Sequence, residues 1–121
     1  MGKKILVVED EPHIRMSMEA RLKANGYVVV TAENGQEGCE KAKTEKPDLI
    51  LMDVMMPGLD GYQALAKLKE GDKTKTIPVI MLTARAQPED VEKAGTGGAT
   101  DYVVKPFTPA TLLEKIKKAI T

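Results

Sequence analysis

The sequence predicts an α/β domain in which one five-stranded parallel sheet carries helices on both faces. Three observations carry that expectation. Five short apolar runs recur along the chain, each continuous rather than alternating and rich in Val, Ile and Leu. Polar segments with helical start and stop signals separate them. The residues just past the runs are acids, a hydroxyl and a lysine, which suits a site at one end of a sheet. A continuous apolar run of this length fits a strand buried on both sides of a parallel sheet, and alternating strands and helices give the doubly wound architecture.

The first strand is expected in "KKILVV", residues 3–8. Pro12 can open the helix that follows, with Ile14, Met18 and Leu22 at i, i+4 and i+8 on one face and Gly26 as its stop. The second strand is "YVVVTA", 27–32. Asn34 can cap the second helix, which must end before Pro47. The third strand is "DLILM", 48–52, and Tyr62, Leu65 and Leu68 stripe a third helix that Asp60 can cap. In "MPGLDG", Gly58 and Gly61 are expected to supply unusual backbone angles for a turn. The fourth strand is "IPVIML", 77–82. A fourth helix is expected from near Pro88 to Gly95, loosely held because Val91 and Ala94 are its only apolar anchors. After the fifth strand, "DYVVK" (101–105), Thr108 caps a helix with Pro109 at its first position and Leu112, Leu113, Ile116 and Ile120 on one face. Lys117 and Lys118 suit the negative end of its dipole.

The chain has 121 residues, enough to bury the core of one domain, and no linker or low-complexity tract divides it. Apolar residues make up 42% and charged residues 30%, the balance of a folded soluble protein. Lys plus Arg equals Asp plus Glu at 18 each, so no global field draws the chain to nucleic acid. No apolar run approaches the length of a membrane span, and the start "MGKKILVVEDEP" is too short in its apolar part for a signal peptide. A cytoplasmic location is expected. Cys39 is the single cysteine, so an internal disulfide is impossible and the thiol reads as incidental.

Glu9 and Asp10 follow the first strand, Asp53 the third, Thr83 the fourth, and Lys105 closes the fifth. In an open parallel sheet, ligands bind outside the carboxyl ends of the strands, where the strand order reverses. An order 2-1-3-4-5 would bring Glu9, Asp10 and Asp53 together at that point. Three close carboxylates repel, and a hard cation with oxygen ligands removes the conflict. Magnesium suits the site because it needs few carboxylates and leaves room for phosphate oxygens. Lys105 would add positive charge and Thr83 a hydroxyl donor, a set suited to a phosphoryl group. Asp53 is placed to act as its nucleophile. A single acid after a strand is ordinarily a helix cap or a solvated loop residue, and it is the joint arrangement that points to a site.

The stretches "ILVVEDEP", "PDLILMDVMMPGLDG", "PVIMLTA" and "GGATDYVVKPF" resemble a response-regulator receiver domain of the CheY-like kind over the full length of the chain. The resemblance implies a flavodoxin-like (βα)5 fold with sheet order 2-1-3-4-5, and a single receiver domain over residues 1–121 with no output domain. It implies that Asp53 accepts a phosphoryl group from the phosphohistidine of a histidine kinase or histidine phosphotransfer protein. Asp10 and Asp53 would bind Mg2+, Glu9 would act mainly through water, and the backbone carbonyl of Met55 would be a further ligand. Thr83 would contact the phosphoryl group, Lys105 would pair with it, and Lys105–Pro106 would be a cis peptide. Thr83 and Tyr102 would form the switch that reshapes a surface of fourth helix, fifth strand and fifth helix for a downstream protein, as a monomer or a phosphorylation-dependent dimer. Met55 and Arg85 would flank the water that hydrolyses the acyl phosphate, slowly because Met55 cannot orient it. No enzymatic turnover is expected beyond self-phosphorylation and slow self-dephosphorylation. Glu9 is a mild departure, since Asp-Asp is commoner than Glu-Asp in the family.

Three other readings fit less well. A haloacid-dehalogenase-like phosphatase would want an aspartate at position 55, where the chain has Met55, and a cap domain. A flavodoxin would want a hydroxyl- and glycine-rich phosphate loop where Glu9 and Asp10 stand. A non-phosphorylated receiver-fold interaction module would have no need of the complete residue set. His13, the only histidine, reads as solvated, and Met52, Met56 and Met81 as core packing.

Overall fold

A computed structural model describes residues 2–54, 56, 58–83, 98–104 and 107–120. Five strands, β1 (Lys4–Val8), β2 (Val28–Ala32), β3 (Leu49–Asp53), β4 (Val79–Thr83) and β5 (Asp101–Val104), form one sheet in the order β2-β1-β3-β4-β5. Every pairing is parallel. Helices α1 (Pro12–Ala24), α2 (Gly35–Glu45) and α3 (Gly61–Glu70) and a last helix, Pro109–Ile120, cover it. The fourth helix expected near 88–95 lies outside the described residues.

Two apolar layers follow from strand alternation. On one face Leu6, Val8, Ile50, Met52, Val79 and Met81 pack against Cys39 and Ala42 of α2 and Leu65 and Leu68 of α3. On the other, Ile5, Val7, Leu49, Leu51, Ile80 and Leu82 pack against Met18 and Leu22 of α1 and Leu112 and Ile116 of the last helix. The strands β3 and β4 are buried throughout, as continuous apolar runs require. The same reading fails at the sheet's edges. Only Ala32 is buried in β2 and only Val103 in β5, because an edge strand lacks a neighbour on one side. Ile14, expected on the inner face of α1, is exposed, while Met18 and Leu22 are buried.

The helix termini follow local chemistry. Pro12 is at the first position of α1, but the cap is Glu11, whose carboxylate accepts from the His13 N–H at 3.3 Å. Asn25 ends α1, followed by Gly26 at φ 89°. Asn34 caps α2 by accepting from the Glu37 N–H at 2.8 Å. Asp60 and Gln63 form a reciprocal capping box on α3. Thr108 Oγ1 accepts from the Thr111 N–H at 3.2 Å at the start of the last helix. Met52, Met56 and Met81 are buried core residues, as expected.

One glycine expectation needs correction. Gly58 has φ 75° and does supply the left-handed angle. Gly61 does not have positive φ. It is glycine because α3 begins against the end of β3, where an added Cβ would sit 2.4 Å from the Asp53 carbonyl oxygen and 2.7 Å from Val54 Cα. Cys39 is likewise a packing residue. Its Sγ lies 3.6 Å from the Ala64 carbonyl oxygen, and burial pushes its thiol pKa up, with Lys67 and then Lys43 opposing.

Replacing Gly61 by Ala is expected to cost about 1–3 kcal/mol of stability, since backbone rather than a pliable side chain must move. Asp60→Ala, which removes the cap, should cost about 1 kcal/mol. Urea unfolding checks both as a lowered midpoint at unchanged slope. Thiol reagents should modify Cys39 in the native protein far more slowly than in urea, and equal rates would contradict its burial.

Candidate functional site

The acidic site is built by register. β1 and β3 are 44 residues apart at their first paired positions, Ile5 and Leu49, and Val8 lies opposite Met52. The next residues, Glu9 and Asp53, therefore emerge side by side at the carboxyl end of the sheet. The crossovers part there. α1, which leaves β1, packs on one face, and α3, which leaves β3, packs on the other. The strand order thus reverses beside the acids, opening a crevice at the rim.

Glu9, Asp10 and Asp53 each offer a carboxylate oxygen, and these three oxygens lie within 4.8 Å of one another. Glu9 and Asp53 are buried, and Asp10 is half-buried. The N–H of Glu11 donates to Glu9 Oε2 at 3.1 Å, which holds the glutamate in the cluster. The donor set is all hard oxygen. Oxygens bound to one Mg2+ stand at most about 4.2 Å apart, twice the usual Mg–O distance. The spacing here fits one such cation after a small side-chain rotation, or with one acid acting through water.

The remaining predicted residues divide in two. Thr83 ends β4 and is buried. Leu82 pairs with Asp53, so Thr83 stands one register step beyond the aspartate on the adjacent strand. Tyr102 lies on β5 opposite Met81, and Thr83 opposite Val104. Alternation then puts Thr83, Met81 and Tyr102 on one face of the sheet. Tyr102 is half-buried against the cluster that contains Met81. Lys115 Nζ sits 5.8 Å from its ring centre and 3.1 Å from Asp101 Oδ1. Lys105, Met55, Arg85 and the Lys105–Pro106 bond lie outside the described residues.

Two residues at the rim have no precedent in the sequence reading. A groove of about 660 Å³ runs beside the acids, lined by Asp10, Pro12, Arg15, Glu33, Gly58 and Leu59 among others. Arg15 lines it from the first turns of α1. Its Nη1 donates to the carbonyl oxygens of Glu9 at 2.9 Å and Asp10 at 3.4 Å, and its Nη2 lies 3.5 Å from Glu33 Oε1. Sequence offered only a weak signal, a cation one turn into the helix after an acid pair, because Glu33 lies 18 positions away on another loop.

Comparison with known proteins agrees with the fold. Residues 5–117 match the family model for the response regulator receiver domain. The chain is 43% identical over 117 residues to the alkaline phosphatase synthesis transcriptional regulatory protein PhoP of Bacillus subtilis, covering 97% of this chain and 48% of that protein. It is 41% identical to the protein PilH of Pseudomonas aeruginosa, covering 97% of both. The chain thus spans about half the length of PhoP and nearly all of PilH. Among solved structures, the chemotaxis protein CheY4 of Vibrio cholerae superposes with TM-score 0.94 at 34% identity, covering 98% of this chain and 99% of that one. The receiver domain of the sensor histidine kinase PA1611 from Pseudomonas aeruginosa, described with a magnesium ion coordinated in its active site cleft, superposes with TM-score 0.91 at 36% identity, covering 99% and 98%. No described helix is long and apolar enough to cross a membrane. A parallel sheet of order 2-1-3-4-5 that gathers three acids at its switch point, together with a family match over nearly the whole chain, makes this protein a member of the response-regulator receiver domain family.

Proposed function

We propose that Asp53 is the phosphoacceptor of a two-component relay. It would take its phosphoryl group from a phosphohistidine on a histidine kinase or a histidine phosphotransfer protein. The observation that carries this reading is the gathering of Glu9 and Asp10 against Asp53 at the end of β3. Asp10 and Asp53 would hold Mg2+ directly, Glu9 through water, and the Met55 carbonyl would complete the protein's share. When bound, the ion supplies the charge neutralisation that lets an anionic phosphoryl group approach three acids. The magnesium described for the PA1611 receiver supports that assignment.

In the transfer, a carboxylate oxygen of Asp53 forms a bond to phosphorus while the P–N bond to the donor imidazole breaks. The ring keeps that electron pair and takes up a proton. The Thr83 hydroxyl would donate to a phosphoryl oxygen, and Lys105 would pair with the charge. Each assists by position and electrostatics rather than by covalent chemistry. The product is a stoichiometric acyl phosphate, so the domain is a signalling component rather than an enzyme with turnover.

The new group adds about −1.5 to −2 charge and fresh acceptor oxygens. Thr83 would turn toward them and withdraw from the sheet face it shares with Met81 and Tyr102. Tyr102, only half-buried, can then repack inward. The altered surface around β5 and the last helix would meet a downstream protein, with or without dimerisation.

Incubation with acetyl phosphate and Mg2+ should add one phosphoryl group by intact mass. Asp53→Asn should take none, and chelation of Mg2+ should prevent labelling of the parent. Repeated turnover of a phosphate ester would instead favour the phosphatase reading. Thr83→Ala should still be labelled, but phosphorylation should no longer shift the NMR signals of Tyr102. Met55→Asn should shorten the life of the acyl phosphate, and an unchanged decay rate would remove Met55 from the hydrolytic step.

A further inference from the structure

We infer that Arg15 is a positioning residue for the cation at the acid cluster, an inference that rests on the magnesium reading above. Its guanidinium donates to the carbonyls of both Glu9 and Asp10. Those carbonyls belong to the two peptide planes that flank the Cα of Asp10, so one side chain fixes the backbone on both sides of the acid. The second of these planes is held at its other end too, since its N–H, that of Glu11, donates to Glu9 Oε2 at 3.1 Å. Arg15 and Glu9 together therefore lock the direction in which two of the three carboxylates point.

The arginine is suited to this by burial and shape. Its side chain is 14% exposed, while Glu33 is 70% exposed. An ion pair to so exposed a partner adds little, so the carbonyl contacts carry the effect. The planar guanidinium reaches two carbonyls and a carboxylate at once, which an ammonium cannot match. It is a cation beside the acids, yet it meets backbone oxygens of Glu9 and Asp10, leaving their carboxylates to face the third acid. Groups that orient ligands without touching the ion commonly change metal affinity by about 10–100-fold.

Calorimetric titration of the full chain with Mg2+ alone tests the assignment, with thermal unfolding in EDTA measured in parallel. The parent should bind, and Asp10→Asn should abolish binding. If the parent does not bind, the magnesium reading falls and this inference with it. Given a binding parent, Arg15→Ala should weaken Mg2+ about tenfold while unfolding in EDTA shifts little. Parental affinity in Arg15→Ala would overturn the role of Arg15 and leave the magnesium reading intact. Should Arg15→Ala fail to fold, Arg15→Lys, which keeps the charge and loses the fork, should bind between the parent and the null, and parental affinity there would overturn the inference equally.

Discussion

Like charges crowded at the rim of an apolar sheet repel, and this chain holds three carboxylate oxygens within 4.8 Å of one another there. Their proximity is forced by the sheet rather than chosen by the side chains. With Val8 registered on Met52, the residues that follow have nowhere else to emerge. The strain is local and the core that imposes it is large: both faces of β3 and β4 are buried. A tightly packed interior yields little to a few charges at its edge, which is why the proposed counter-charge, a bound cation, suits this site.

Local hydrogen bonds hold the described segments around the cluster. Glu11, Asn34 and Asp60 cap α1, α2 and α3 at this end of the sheet, each by accepting from a backbone N–H. α3 begins so close to the end of β3 that only glycine fits at position 61. Arg15 ties the loop after β1 to Glu33 on the loop after β2. The geometry of a site depends on such support, because loop residues reach a fixed arrangement only when rigid elements and neighbouring hydrogen bonds leave them no other.

Away from the acids the hold is weaker. β5 is an edge strand with Tyr102 half-buried, and Asp101 and Lys115 pair across to the last helix with both side chains about a third exposed. Pairs this exposed contribute little to stability. The sheet is therefore stiff where the acids meet and more easily rearranged at the edge where Tyr102 sits. That contrast suits a domain proposed to convert a local change of charge into a change of surface.

Much of this was legible in the chain because it is local. Five continuous apolar runs named the strands, and Pro12, Asn34, Asp60 and Thr108 marked helix starts through chemistry confined to a few neighbouring residues. The acids after strands one and three announced a site, since charged residues ending buried strands must find partners. Tertiary structure alone decided the rest. Burial of β2 and β5 depended on which strands lacked a neighbour, so an apolar run at an edge read as more buried than it is. Gly61 answers to the backbone of Asp53 and Val54, and Arg15 to oxygens on one loop and a carboxylate on another. Contacts of that kind are set by distance in space between segments far apart in the chain, and no pattern of neighbours encodes them.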